Sequence, residues 1–163
     1  MENSTQLNLI SMSEINAEEV HWLWYPYIPL GKLTIIQGDP GEGKTSFILA
    51  VIAALTRGEP LPECAQAAKP MNVIYQTAED GLADTIKPRL ENAGADCTRV
   101  LVIDESKQEL TLCDARLEQA IRKTSAKLIV LDPLQAYLGS DVDMHRANEV
   151  RPVLKRLSLM AER

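Results

Sequence analysis

Apolar runs and stretches of helical periodicity alternate along this chain. Residues 32–37, Lys-Leu-Thr-Ile-Ile-Gln, read as a short buried strand, and residues 46–55, Ser-Phe-Ile-Leu-Ala-Val-Ile-Ala-Ala-Leu, as an apolar helix. Arg57-Gly58-Glu59-Pro60-Leu61-Pro62 stops that helix, because Gly loosens the backbone and Pro cannot continue it. A small-residue loop runs on to Pro70. Residues 72–76, 99–103 and 127–131 read as three further strands, apolar and rich in β-branched side chains. Between them, residues 82–93 carry apolar positions at helical spacing and end at Gly94, a C′ glycine, with Pro88 placed to kink the helix. Residues 112–123 form an amphipathic helix with Thr111 as its expected cap. Residues 144–163 keep helical periodicity through Val150, Val153, Leu154, Leu157 and Met160, with Pro152 as a helix start or a kink. Strands alternating with helices imply a parallel α/β sheet, and continuous apolar strands imply that both of its faces are covered.

The turn between the first strand and the first helix carries the chemistry. Gly38-Asp39-Pro40-Gly41-Glu42-Gly43-Lys44-Thr45 fits the pattern G-x-x-x-x-G-K-[ST] in full, in the strand–turn–helix context that the motif requires. Its glycines let the backbone approach phosphate, and the N–H groups around Gly41, Glu42, Gly43 and Ser46 make an anion-binding nest at the helix N-terminus. Lys44 is expected on the β- and γ-phosphates, and the Thr45 hydroxyl on Mg2+.

Two more elements end at the same edge of the sheet, where ligands of open α/β folds bind. Leu128-Ile129-Val130-Leu131-Asp132 is a buried strand ending in a carboxylate, the Walker-B pattern, which assigns Asp132 to Mg2+. Tyr75-Gln76-Thr77-Ala78-Glu79-Asp80 sets two acids after the second strand. Glu79 is placed to orient and polarise an attacking water, and Asp80 to cap the helix that begins near Leu82.

Composition narrows the field. The chain has 163 residues, 45% of them apolar, which is one domain's worth with a sizeable core. A net charge of −6 argues against a broadly basic nucleic-acid surface and leaves room for DNA contact through a local loop or a partner chain. Cys64, Cys97 and Cys113 are scattered and odd in number, so they indicate neither a zinc site nor a disulfide framework. No secretory signal or membrane-length apolar run is visible, and the cytoplasm is the expected compartment. Residues 1–20 are polar and acidic, with at most a short helix near Ser13 and Glu14. Residues 21–31 then gather both tryptophans and two of the four tyrosines, either as a hydrophobic lid on the sheet or as a surface for a base or a partner.

The segments 31–45, Thr77-Ala78-Glu79-Asp80-Gly81 and 128–134 together resemble RecA-fold ATPases, most of all the branch of plasmid RepA-type hexameric helicases and related phage and mobile-element ATPases. The likeness spans residues 21–163, and its Ala-Glu-Asp element is more specific than the P-loop. It implies a three-layer α/β/α RecA-like core, with ATP and Mg2+ as cofactors. It also implies single-stranded or duplex DNA as partner and a hexameric homo-oligomer for the full-length form. It makes Glu79 the catalytic glutamate, assigns Lys44, Thr45 and Asp132 to phosphate and Mg2+, and sets Arg89 against the nucleotide base, although a surface salt bridge is an equal use for that arginine. The family continues to a sensor strand, DNA-binding loops and an arginine finger beyond the point reached by Met160-Ala161-Glu162-Arg163, so the resemblance implies a C-terminally incomplete core.

Three functions compete. One is a DNA-dependent ATPase, the second a nucleotide-binding switch without motor activity, and the third a small-molecule kinase. The guanine motif Asn-Lys-x-Asp, the transporter signature and an Arg-rich kinase lid are all absent from the sequence, and Glu79 favours hydrolysis over transfer to a small substrate.

Overall fold

The computed structural model describes residues 7–64, 69–140 and 142–163. Residues 65–68 of the small-residue loop expected before Pro70 lie outside the described residues, as do residues 1–6 of the polar N-terminal segment. Residues 7–20 are exposed and contain one 3-10 turn, Met12–Glu14, started by the Ser11 side chain accepting from the Ser13 N–H. A small antiparallel hairpin follows, β1 (Trp22–Trp24) against β2 (Ile28–Pro29).

The core is a parallel sheet of three strands in the order β4 (Val100–Leu101), β3 (Val73–Thr77), β5 (Leu128–Asp132). β3 is central and its first four residues are buried, which explains its unbroken apolar reading. Val73 pairs with Leu128, and the register runs to Thr77 beside Asp132. β4 is shorter than the sequence suggests because a side chain takes over the ladder. The buried Gln76 amide accepts from the Ile103 N–H at 2.6 Å and donates to the Ile103 carbonyl at 3.3 Å.

Helices cover both faces. On one lies α1 (Lys44–Arg57), nearly all apolar, whose Ile48, Ile52 and Leu55 share a core with Val73 and Tyr75. Each such fully buried side chain stabilises the fold by about 1.5–3 kcal/mol over its exposed state. Thr56, buried within this helix, donates to the Ala53 carbonyl and accepts from the Asp96 N–H at 3.1 Å, tying α1 to the approach to β4. On the other face α3 (Ala115–Thr124) and α4 (Ala147–Ala161) set Leu117, Val153 and Leu157 against Tyr137, with Leu131 packed beside them.

Several expectations are corrected. Residues 33–37 form no strand. Among the described residues no ladder takes up their backbone, and Leu33, Ile35 and Ile36 are 39%, 65% and 43% exposed. The apolar run carried the pattern of a buried strand, but pairing depends on a neighbour that local sequence does not supply. The helix over 82–93 is a π turn, Leu82–Ile86, that passes into α2 (Lys87–Asn92). The wider turn precedes Pro88, which lacks an N–H and sits in the first turn of α2, where none is needed. Gly94 ends α2 at φ +75°, as expected, and a Cβ there would collide with the Arg57 guanidinium that donates to the Ala93 and Gly94 carbonyls. α3 is capped by Asp114, whose carboxylate accepts from the Arg116 N–H at 2.8 Å, and not by Thr111. Pro152 lies inside α4 and does not start it.

The aromatic stretch divides. Trp24 is buried, donates its Nε1–H to the Pro62 carbonyl at 2.9 Å and packs on Phe47, so it acts as the expected lid. Tyr25 and Tyr27 remain 63% and 52% exposed.

Candidate functional site

The carboxyl ends of β3 and β5 stop level with each other: the Ala78 N–H donates to the Asp132 carbonyl at 3.2 Å. α1 begins beside them after a loop whose Gly41 and Gly43 adopt φ +84° and +82°, with open space where their Cβ atoms would stand. Gly43 occupies the N-cap position with no side-chain hydrogen bond, so the N–H groups of the first turn are left to an incoming acceptor. The Lys44 ammonium donates to the Gly38 and Asp39 carbonyls at 2.8 and 2.7 Å. Glu42 bends back, and its carboxylate accepts from the Asp39 N–H at 2.7 Å. A carboxylate on a loop N–H marks the loop as an anion acceptor by its own chemistry.

The loop residues Gly38, Asp39, Pro40, Gly41, Glu42 and Gly43 are exposed, as is Ser46, while Lys44 and Thr45 are half-buried. The structure brings Thr45 and Asp132 together across 87 positions of sequence, with the Thr45 hydroxyl donating to Asp132 Oδ2 at 3.1 Å. Two hard oxygen donors side by side suit Mg2+, which takes few protein ligands and completes its shell with water and phosphate oxygens. Among the described residues no cluster of three or more His, Cys, Asp or Glu assembles, and a site of this kind does not need one. The residues therefore fit a magnesium-bound nucleotide: the loop for phosphate, Lys44 for its charge, and Thr45 with Asp132 for the cation.

Glu79 is exposed just past the end of β3 and makes no hydrogen bond or ion pair among the described residues. Its neighbour Asp80 does not cap the following turn. Gly81 holds the cap position, and Asp80 faces Arg89 at 3.8 Å. Arg89 thus makes the surface ion pair that was one of its two expected uses.

Sequence reasoning missed a set of polar groups behind the strand ends. Tyr75, fully buried, donates its hydroxyl to the same Asp132 Oδ2 at 3.1 Å. Burial, and next the charge of Asp132, hold its phenol well above the ordinary range, so it stays a proton donor. Tyr137 is buried with no hydrogen-bond partner for its hydroxyl among the described residues, and burial together with the charges of Glu105 and Asp132 pushes its pKa up to about 12. Gln76 also donates to Glu105 at 2.6 Å, and Glu105 in turn accepts from the Leu110 N–H at 2.9 Å. A cleft of about 330 Å3 opens here, lined by Thr77, Leu82, Ile103 and Ser106 among others. The available signal was a Tyr and a Gln standing inside an otherwise aliphatic strand, since a buried polar group must find a partner.

A family profile described as an AAA domain matches residues 5–163. The chain belongs to the AAA domain family. Its parallel sheet between helical layers is the α/β core of a RecA-like P-loop ATPase domain. It is similar to the DNA repair protein RadA of Bacillus subtilis, at 27% identity over 112 residues, which is 69% of this chain and 20% of that protein. It is also similar to the DNA repair protein RadA of Halalkalibacterium halodurans, at 26% identity over 112 residues, 69% of this chain and 21% of that protein. The chain thus spans about a fifth of the length of these curated relatives. Among its described residues no helix is long and apolar enough to cross a membrane.

Proposed function

We propose that this chain is the nucleotide-binding core of a Mg2+-dependent ATPase that acts on DNA, as a helicase, replication or recombination motor subunit. The observation that carries the reading is the Thr45–Asp132 contact at 3.1 Å, at the start of a helix preceded by a complete phosphate-binding loop. In this reading the N–H groups of residues 41–46 cradle the phosphates and Lys44 neutralises their charge. Thr45 and Asp132 hold Mg2+, which when bound withdraws charge from the phosphate oxygens. Glu79, exposed and without a partner among the described residues, orients the attacking water and accepts its proton. Arg89 is available for the nucleotide base once released from Asp80. The printed name of the relatives, DNA repair protein, supports DNA as the partner, and the resemblance to RepA-type helicases supports a hexamer of the full-length form.

The test is binding and hydrolysis of Mg-ATP by the chain, with and without single-stranded DNA. Magnesium-dependent binding with DNA-stimulated turnover is the expected result. Absence of ATP binding overturns the whole reading. Binding with turnover that ignores DNA removes the motor role and leaves a nucleotide switch.

A further inference from the structure

We propose that Tyr75 is a positioning residue that fixes the Asp132 carboxylate for Mg2+. The proposal rests on the nucleotide-binding reading above and adds to it a residue outside the loop 38–45, Glu79 and Asp132.

The argument starts from register. Thr77 stands beside Asp132 in the parallel ladder, so Tyr75, two residues earlier on β3, projects from the same face of the sheet as Asp132. That face carries α1, and the Tyr75 ring is packed in the α1 core with no exposed surface. A phenol buried this deeply needs a partner for its hydroxyl, and the ring is long enough to reach diagonally to the neighbouring strand. The partner it reaches is Asp132 Oδ2, at 3.1 Å.

The same oxygen accepts from the Thr45 hydroxyl, also at 3.1 Å. One carboxylate oxygen is therefore held by donors from two layers, the P-loop helix and the central strand. Thr45 stands in the first turn of α1, directly after the exposed loop, and has its own task at the cation. Tyr75 belongs to the central strand, where the Thr77 hydroxyl is the other polar group beside its phenol and Asp132 is the carboxylate it meets. It fixes the rotamer of Asp132 whether or not the loop is engaged, and its donated proton offsets the cost of keeping a carboxylate half-buried. Partners that orient a ligating carboxylate are worth about 10–100-fold in metal affinity.

Tyr75→Phe tests this, because it keeps the buried ring and deletes only the hydroxyl. A fluorescent ATP analogue is titrated against wild type and variant, first in EDTA and then at fixed concentration with increasing Mg2+. The expected result is unchanged affinity in EDTA and a Mg2+ midpoint raised about tenfold. In an Asp132→Asn background the same substitution should produce no further shift. An unmoved Mg2+ midpoint overturns the proposal. An equal loss of affinity with and without Mg2+ also overturns it, since the tyrosine would then only support the loop. Replacement of Tyr75 by 3-fluorotyrosine keeps ring and hydroxyl and gives a second readout. Its 19F resonance should move on addition of Mg2+ to the nucleotide complex, and a resonance indifferent to Mg2+ overturns the assignment. If wild type fails to bind the analogue at all, or Lys44→Ala binds it equally well, the nucleotide-binding reading itself has failed, which is distinct from a wild type that binds normally beside an unshifted Tyr75→Phe.

Discussion

Asp132 and the loop 38–43 meet at Thr45, yet they are held by opposite means. Asp132 ends a strand with five register partners on β3, and hydroxyls from two different layers converge on its Oδ2. The loop is exposed and is held by its own charges, Lys44 on the Gly38 and Asp39 carbonyls and Glu42 on the Asp39 N–H. On the proposed reading, the side for the cation is built into the sheet. The side proposed for phosphate satisfies itself with groups that a phosphate could replace. Rigid placement suits an ion that demands strict geometry, and a self-satisfied loop suits an anion that must enter and leave.

The largest effect should come from Glu79, which stands on the sheet side yet makes no hydrogen bond or ion pair among the described residues. Glu79→Gln should keep nucleotide binding within about twofold and lower turnover by on the order of 10²–10⁴-fold, the range for loss of a proton acceptor. Steady-state hydrolysis beside equilibrium binding checks this, and wild-type turnover would remove Glu79 from the catalytic role.

Lys44→Ala strikes the loop side. Loss of charge-assisted hydrogen bonds to phosphate should weaken ATP binding by at least about tenfold. Unchanged affinity in a fluorescence titration would break the comparison, because the loop would then not be the phosphate side.

Asp114 addresses stability of the sheet side. It caps α3, which packs on the sheet between β4 and β5 in chain order, and the Arg116 side chain bonded to it holds its carboxyl below the usual range. The folded state therefore keeps this group ionised at a pH where the unfolded chain begins to protonate it. Its contribution is full above the ordinary carboxylate value and is lost as pH falls through the lowered one. Asp114→Ala should cost about 1 kcal/mol at neutral pH, and the gap from wild type should close below about pH 4. Urea unfolding at neutral and acid pH measures both, and a gap that persists in acid would show that the cap does not act through its charge.

The smallest effect sharpens the loop side. Glu42 occupies the Asp39 N–H and adds negative charge where phosphate should bind. Glu42→Gln should tighten ATP binding by about threefold, in keeping with the modest worth of exposed charge contacts. Weaker binding would mean that Glu42 organises the loop for phosphate instead of competing with it.

How much of this was legible differs by residue. Strands β3 and β5 and helices α1 and α4 were readable because burial on two faces, or on one, leaves a run or a period in the sequence. The glycine-rich loop and the carboxylate after β5 were readable as patterns of residue type and spacing, and their proposed roles rest on those patterns. Helix limits were less so: Asp114 rather than Thr111 caps α3, a difference decided by which side chain reaches an N–H. Asp80 looked like a cap and instead faces Arg89, because Gly81 begins the turn. Residues 32–37 carried a strand pattern and form none among the described residues.

The sequence by itself determined the alternation of strands and helices, the glycine-rich loop before α1, and the two carboxylates after strand ends. These rest on local composition and on periods of a few residues. Tertiary structure alone decided that Tyr75 meets Asp132 across 57 positions, that Gln76 replaces a stretch of β-ladder, and that Thr45 shares its carboxylate partner with a tyrosine. Those choices depend on register and on which face of the sheet a side chain leaves. Both are fixed by how distant strands pair, and no local window of sequence contains the partner.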